Sequence, residues 1–245
     1  MSFEDEVQQR INAYEKNEEL KASARGFLIA SIKTGYSYNF SWLGRPIIQY
    51  PQDIIAMQEI IWQVQPDLII ETGIAHGGSL ILYASMLELN SACGGPKDAE
   101  VLGIDIEIRS HNRKAIEEHP MFRRISMIEG SSIAPDVVAA MKKKASGKER
   151  VLVCLDSNHT HAHVLSELEA YAPLTTVGSY CVVFDTIIED ISADLFPDRP
   201  WGPGNNPKTA VREYLKTHPE FIIDKGVEHK LLITVAPDGY LKRVG

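Results

Sequence analysis

The stretch Leu68-Ile-Ile-Glu71-Thr72-Gly73-Ile-Ala-His76-Gly77-Gly78-Ser79 decides the fold. A short apolar run ends in an acid, a glycine-punctuated turn follows, and an apolar helical pattern begins near residue 79. Glycines after a strand let backbone amides approach a ligand closely. The helix that follows offers unsatisfied N–H groups and the positive end of its dipole. A doubly wound sheet binds nucleotide-like molecules at such a turn. The spacing Gly73-x-x-x-Gly77-Gly78 is not the dinucleotide fingerprint GxGxxG. Glu71 ahead of the turn would repel a pyrophosphate but not a cationic or zwitterionic cofactor, and Ser79 is placed to hydrogen-bond a carboxylate. A plain tight strand-to-helix turn is the competing reading.

Outward from this turn, β-branched runs alternate with helical segments. The runs are Leu68–Glu71, Val101–Asp105, Ile125–Ile128, Val151–Leu155 and Tyr180–Phe184, with helices near 79–90, 112–119, 134–146 and 162–172. Near-continuous apolar strands alternating with amphipathic helices predict a mostly parallel sheet covered on both faces. Phe221–Asp224 and Lys230–Ala236 are separated by few residues, which predicts an antiparallel hairpin at the sheet edge. Pro51 opens a helix with Ile54, Met57, Ile61 and Val64 on one face. Upstream, 3–32 reads as helix and Tyr36–Gly44 as irregular and aromatic-rich. The expected organisation is one compact α/β domain, 51–245, preceded by a helical extension, 1–50.

Composition sets bounds on function. The 245 residues are 44% hydrophobic and 24% charged, ordinary for a globular chain with a buried core. With 25 Lys+Arg against 33 Asp+Glu the net charge is −8, which lacks the basic surplus of a nucleic-acid protein. The run Lys142–Lys144 is too short for such a surface and reads as a solvated helix end. Cys93, Cys154 and Cys181 cannot make a disulfide framework, and the last two lie in apolar runs as small buried hydrophobes. The acidic N-terminus is no signal peptide, and no apolar run approaches the about 18–20 residues of a membrane span. A cytoplasmic, reduced protein is the expectation.

Polar residues gather where the runs end. Asp105 closes the second, suited to ribose hydroxyls or to capping the next helix. Gly130-Ser131-Ser132 follows the third and lines an adenine pocket or makes a turn. Asp156 and Asp185 end the fourth and fifth. Side by side at one sheet edge, they repel unless a proton or a cation stands between them, and a hard divalent ion such as magnesium is the simplest resolution. His159 is placed to join them and take a proton from a hydroxyl. His161 and His163 read as a polar helix cap with exposed rings, and their spacing does not support zinc. The Pro- and Gly-rich segment 195–207, with Arg199 and Trp201, reads equally as a carbohydrate lid or a rigid loop.

These residues resemble a known family. Ile69–Gly73 with Gly77-Gly78-Ser79, Gly103-Ile-Asp105, Leu155-Asp156-x-x-His159 and Phe184-Asp185 look like the Rossmann-like class I fold of S-adenosylmethionine-dependent methyltransferases, with a seven-stranded sheet. Trp42-Leu-Gly-Arg45-Pro-Ile-Ile, His229–Ile233 and Pro237–Lys242 are similar to the group of cephalosporin hydroxylases and rhamnosyl O-methyltransferases. No haem, flavin or iron ligand set accompanies the word hydroxylase. The resemblance implies an O-methyltransferase acting on a hydroxyl of a sugar or glycosylated small molecule. Glu71, Gly73, His76, Gly77, Ser79, Asp105, Ser131 and Asp156 would hold S-adenosylmethionine, Asp156 and Asp185 magnesium, and His159 would be the general base. Related macrolide-sugar methyltransferases carry an acid just before the Asp185 position. Here it is Phe184, which leaves Thr186, or Glu189 or Asp190, as a replacement ligand. An NAD-dependent oxidoreductase and a non-catalytic cofactor-binding member are the rival readings. The partners expected are the acceptor and a second copy of the chain, with Phe27 and Leu28 packing on the sheet or in a homo-oligomer contact.

Overall fold

The computed structural model describes residues 1–245. Helix α1 (Phe3–Lys16) opens on a capping box at Ser2 and stops at Asn17, which in turn caps α2 (Glu18–Lys33) by accepting from the Leu20 amide. The continuous helix expected over 3–32 is therefore two, because the Asn17 backbone is extended and its side chain serves as an N-cap. A short hairpin follows, β1 (Phe40–Trp42) with β2 (Arg45–Ile47), and then α3 (Pro51–Val64). Trp42 Nε1 donates to Ser85 Oγ, and Ile47 is buried in the core, so this N-terminal segment packs on the sheet's helical layer.

The remaining elements alternate as expected: β3 (Leu68–Thr72), α4 (Gly78–Ala92), β4 (Glu100–Asp105), α5 (Ser110–Glu117), β5 (Ile125–Glu129), α6 (Pro135–Ala145), β6 (Val151–Leu155), α7 (His161–Tyr171), β7 (Tyr180–Val183), α8 (Pro207–Tyr214), β8 (Phe221–Ile223), α9 (Lys225–Leu231) and β9 (Tyr240–Arg243). Their strands form a seven-stranded sheet in the order β5-β4-β3-β6-β7-β9-β8, in which β9 alone runs opposite to the other six. Every residue of β3, β6 and β7 is buried, which is why those runs are apolar on both faces up to Glu71 and Thr72 at the end of β3. Ile69, Leu152 and Val182 face the core layer that includes α3 and α4, while Ile70, Val153 and Val183 face that of α6, α7 and α8. Cys154 and Cys181 are buried in these two layers as packing residues.

The C-terminal hairpin is present, but its second strand is not Lys230–Ala236. Lys230 and Leu231 end α9, and Tyr240–Arg243 supplies the strand. This strand inserts between β7 and β8, leaving β8 at the edge. Gly239 permits the insertion: a β-carbon there would stand 2.1 Å from the Val183 carbonyl oxygen.

The chain passes from β3 to β4 on one side and returns to β6 on the other, so the crevice opens at the carboxyl end of β3. There Gly73 has φ +91°, and a β-carbon would lie 2.0 Å from the Asp156 carbonyl oxygen. Gly73→Ala combines left-handed strain with a clash against backbone, and the expected loss is about 2–5 kcal/mol, read by urea unfolding.

Candidate active site

The glycine turn is held from both sides. The Gly73 amide donates to the Ile104 carbonyl at 2.7 Å, and the Ile74 and Ala75 amides donate to Asp105 Oδ2 at 2.8 and 3.2 Å. On the outside, Arg45 donates to the His76 carbonyl through Nε (3.1 Å) and Nη2 (2.6 Å), and Asn112 Nδ2 donates to the Ala75 carbonyl. Asp105 thus braces the turn as well as bordering the crevice. Gly77, at φ +80°, forms the corner before α4, and His76 and Ser79 border the crevice.

Glu71 lies one layer behind. It is fully buried and accepts from Ser79 Oγ at 2.9 Å. Burial pushes its pKa up to about 8. Ser79 correspondingly spends its hydroxyl proton on Glu71.

Two cavities of about 330 and 590 Å³ meet at Gly73, Ala75, Asp156, Ser157 and His159. The larger is bordered by Asp105, Ser131 and Ser132. His163 also borders it, with Nε2 3.0 Å from Ser132 Oγ, so it is not the exposed ring expected of it. His161 is engaged elsewhere, its Nδ1 2.8 Å from Thr209 Oγ1. The smaller cavity runs past Gly78 and Ser79 to Asp185, Phe196 and Trp201.

Asp156, His159 and Asp185 converge at this junction, with one ligand atom from each lying within 4.8 Å of the others. Adjacency of β6 and β7 brings the two acids together, as their strand ends required. His159 Nε2 is 3.2 Å from Asp185 Oδ2, and the His159 ring meets Trp201 edge-on at 5.7 Å between centroids. Removal from water, and then the facing Asp185, push the Asp156 pKa well above the ordinary carboxylate range. Two carboxylates facing one point fit a hard divalent cation, which would relieve that repulsion, with the imidazole beside them.

The replacement ligands expected near Phe184 are not there. Thr186 is fully buried and donates to the Pro237 carbonyl at 2.6 Å. Glu189 accepts from the Gly204 amide and Asn206 Nδ2, and Asp190 pairs with Lys208.

Sequence reasoning missed Asp53. It is fully buried, accepting from Thr234 Oγ1, from Tyr240 Oη (2.8 Å) and from the Val235 amide (3.0 Å). Val235 in turn accepts from the Ile187 amide, so Asp53 braces the turn that carries Asp185. Burial pushes its pKa up to about 6 despite those three donors. Glu167, equally buried, accepts from Ser157 Oγ at 2.7 Å beneath the crevice floor. Both acids stand on apolar helical stripes, Asp53 with Met57 and Glu167 with Val164 and Tyr171, and that misplacement is the signal that marks them.

The fold has known counterparts. A CmcI structure with magnesium and S-adenosylmethionine superposes with a TM-score of 0.57 at 18% identity, covering 85% of this chain and 78% of that one. A TDP-rhamnose 3′-O-methyltransferase of calicheamicin biosynthesis superposes with a TM-score of 0.56 at 17% identity, covering 100% and 96%. In sequence, the rhamnosyl O-methyltransferase of Mycobacterium tuberculosis is 33% identical over 199 residues, 78% of this chain and 73% of that protein. That of Mycobacterium leprae is 30% identical over 208 residues, 83% and 82%. Together with the sheet and its crevice, these likenesses define an S-adenosylmethionine-dependent O-methyltransferase of the Rossmann-like class. The family description "Rhamnosyl O-methyltransferase/CmcI" matches residues 34–244, and the chain belongs to that family.

Burial of Glu71 sets a pH dependence. Its proton is held more tightly in the folded chain than in the unfolded one. The resulting stability is therefore fully present below about pH 4.5 and is lost as the pH rises through about 8. Without ligand, melting temperature is expected to fall across that window, and Glu71→Gln should flatten the fall by on the order of 3–5 kcal/mol at pH 9. Calorimetric melts from pH 5 to 9 check this.

Proposed function

We propose that the protein methylates a hydroxyl of a sugar or glycosylated small molecule, with His159 as general base and Asp156 and Asp185 holding magnesium beside the acceptor. The observation that carries this reading is the convergence of Asp156, His159 and Asp185 where the two cavities meet. When bound, S-adenosylmethionine supplies a methyl group on a sulfonium, with a neutral thioether as leaving group. Bound magnesium supplies positive charge that favours the ionised form of a nearby hydroxyl.

The chain's own residues do the rest. Asp156 and Asp185 offer the oxygen donors that a hard ion prefers, which leaves the imidazole for proton transfer. With His159 Nε2 held by Asp185, Nδ1 is the nitrogen that accepts the acceptor's proton. The Asp185 carboxylate stabilises the imidazolium that forms. Trp201 and Phe196, 5.1 Å apart in an edge-on pair, wall the crevice beside His159. Such a wall excludes water and offers aromatic faces to a sugar ring. Names among the relatives support the same acceptor class: rhamnosyl for the mycobacterial proteins and TDP-rhamnose for one structural neighbour. The reading extends to a cytoplasmic homo-oligomer in which residues 1–50 extend the methyltransferase domain. Two facts support it: no helix is long and apolar enough to cross a membrane, and α2 leaves Phe27 exposed.

His159→Ala should lower kcat by about 10²–10⁴-fold while leaving S-adenosylhomocysteine affinity unchanged. Asp156→Asn should abolish any stimulation by magnesium along with most turnover. Methyl-transfer assays with TDP-rhamnose as acceptor, run with magnesium and with chelator, test both. Full turnover in the His159 variant would remove the base assignment.

A further inference from the structure

The segment between β7 and α8 carries a charge with no role in the account above. Arg199 borders both cavities where they meet, together with Trp201, Asp156 and His159. Cations on the adjoining helix α8 are matched by acids: Lys208 pairs with Asp190 and Asp238, and Arg212 with Glu189. Arg199 is not matched. Its guanidinium lies over the Trp201 ring, 5.9 Å from the centroid, and it forms no ion pair with Asp194 or Asp198 of its own segment. Trp201 in turn meets the His159 ring, so an uncommitted positive charge stands one side chain away from the proposed base.

The backbone beneath this charge is braced. The Arg199 amide donates to the Phe196 carbonyl at 3.2 Å, Asn205 Nδ2 to the Pro200 carbonyl at 2.9 Å, and the Gly204 amide to Glu189 Oε2 at 2.7 Å. The guanidinium is thus presented from a fixed wall, and its contact with the indole face orders it further. Across the junction the crevice is acidic, with Asp156 and Asp185 converging there and Asp105 on the larger cavity. Those carboxylates repel an anionic acceptor. A neutral sugar needs no cation at the exposed rim, since the aromatic wall alone offers it an apolar face. A planar fork of free donors at that rim matches the paired oxygens of a phosphate or a carboxylate.

We infer that Arg199 is a specificity-determining residue for the acceptor and selects a sugar bearing an oxyanion over a neutral glycoside. The oxyanion is the diphosphate of a nucleotide-linked sugar or the carboxylate of a uronic acid. This deepens the sugar-methylating reading and rests on it. Trp201 takes the apolar face of the ring, and Arg199 takes the adjoining charge and offsets the acids of the crevice. Two other duties fit an arginine here, general neutralisation of the acid pair and a contact to the methyl donor's own carboxylate, and the test separates both from acceptor selection.

The full chain, saturated with S-adenosylhomocysteine and magnesium, is titrated calorimetrically with matched sugars. The pairs are TDP-rhamnose against methyl rhamnoside, and methyl glucuronide against methyl glucoside. For wild type, the charged member of at least one pair should bind about 10- to 100-fold more tightly, and the pair that shows the preference tells diphosphate from carboxylate. Added salt should reduce that preference. Arg199→Gln should abolish it while leaving the neutral member and S-adenosylhomocysteine itself within about twofold of wild type, and Arg199→Lys should restore part of it, because the charge returns without the fork. The side chain is exposed, so both variants should melt at the wild-type temperature. Equal binding of charged and neutral members by wild type would overturn the assignment. Equal weakening of both members in Arg199→Gln would overturn it in favour of general neutralisation, and selective loss of S-adenosylhomocysteine affinity in favour of the donor's carboxylate. Failure of every sugar, charged or neutral, to bind or accept a methyl group would instead remove the underlying sugar reading.

Discussion

Two carboxylates at the ends of adjacent parallel strands cannot both stay charged in a half-buried crevice unless positive charge stands near them. Asp156 and Asp185 are in that position because β6 and β7 are neighbours, and the backbone leaves them little freedom to part. His159 answers part of the repulsion through its contact with Asp185. Much of the surrounding architecture serves to hold this arrangement. Gly73 lets the first turn lie against the Asp156 backbone, and Asp53 braces the bracket that carries Asp185.

A second constraint is the orientation of the glycine turn. Its carbonyls at Ala75 and His76 are claimed by Asn112 and Arg45, and two of its amides by Asp105. The loop is thereby fixed before any ligand arrives, so binding need not spend free energy on ordering it. Glu71, Ser79 and the start of α4 continue this preorganised wall toward the smaller cavity.

The β–α alternation was legible because both faces of the sheet are covered, so that Val151–Leu155 and Leu68–Ile70 read as unbroken apolar runs. The acid pair was legible because each acid ends such a run. What escaped was set by tertiary contact. Lys230–Ala236 has a strand-like composition, yet α9 claims its first residues and Gly239 brings a later segment against β7. Thr186 carries a possible ligand oxygen, but the Pro237 carbonyl turns it inward. Glu71 was legible as an acid before a glycine turn, while its full burial behind Ser79 depends on the course of that turn. Asp53 and Glu167 were hidden by the habit of reading an acid in a helix as a solvated one.

The backbone at Asp185 carries one more consequence. Its φ of 55° and ψ of 21° place a non-glycine residue in left-handed space. Aspartate and asparagine tolerate that region far better than β-branched or bulky side chains do. An exchange of one carboxylate oxygen for an amide nitrogen at this position would therefore leave the local conformation relaxed while changing the charge of the crevice by a full unit. The charge of the crevice can thus be altered at this residue on an unchanged scaffold, whereas most other replacements there would disturb the turn itself.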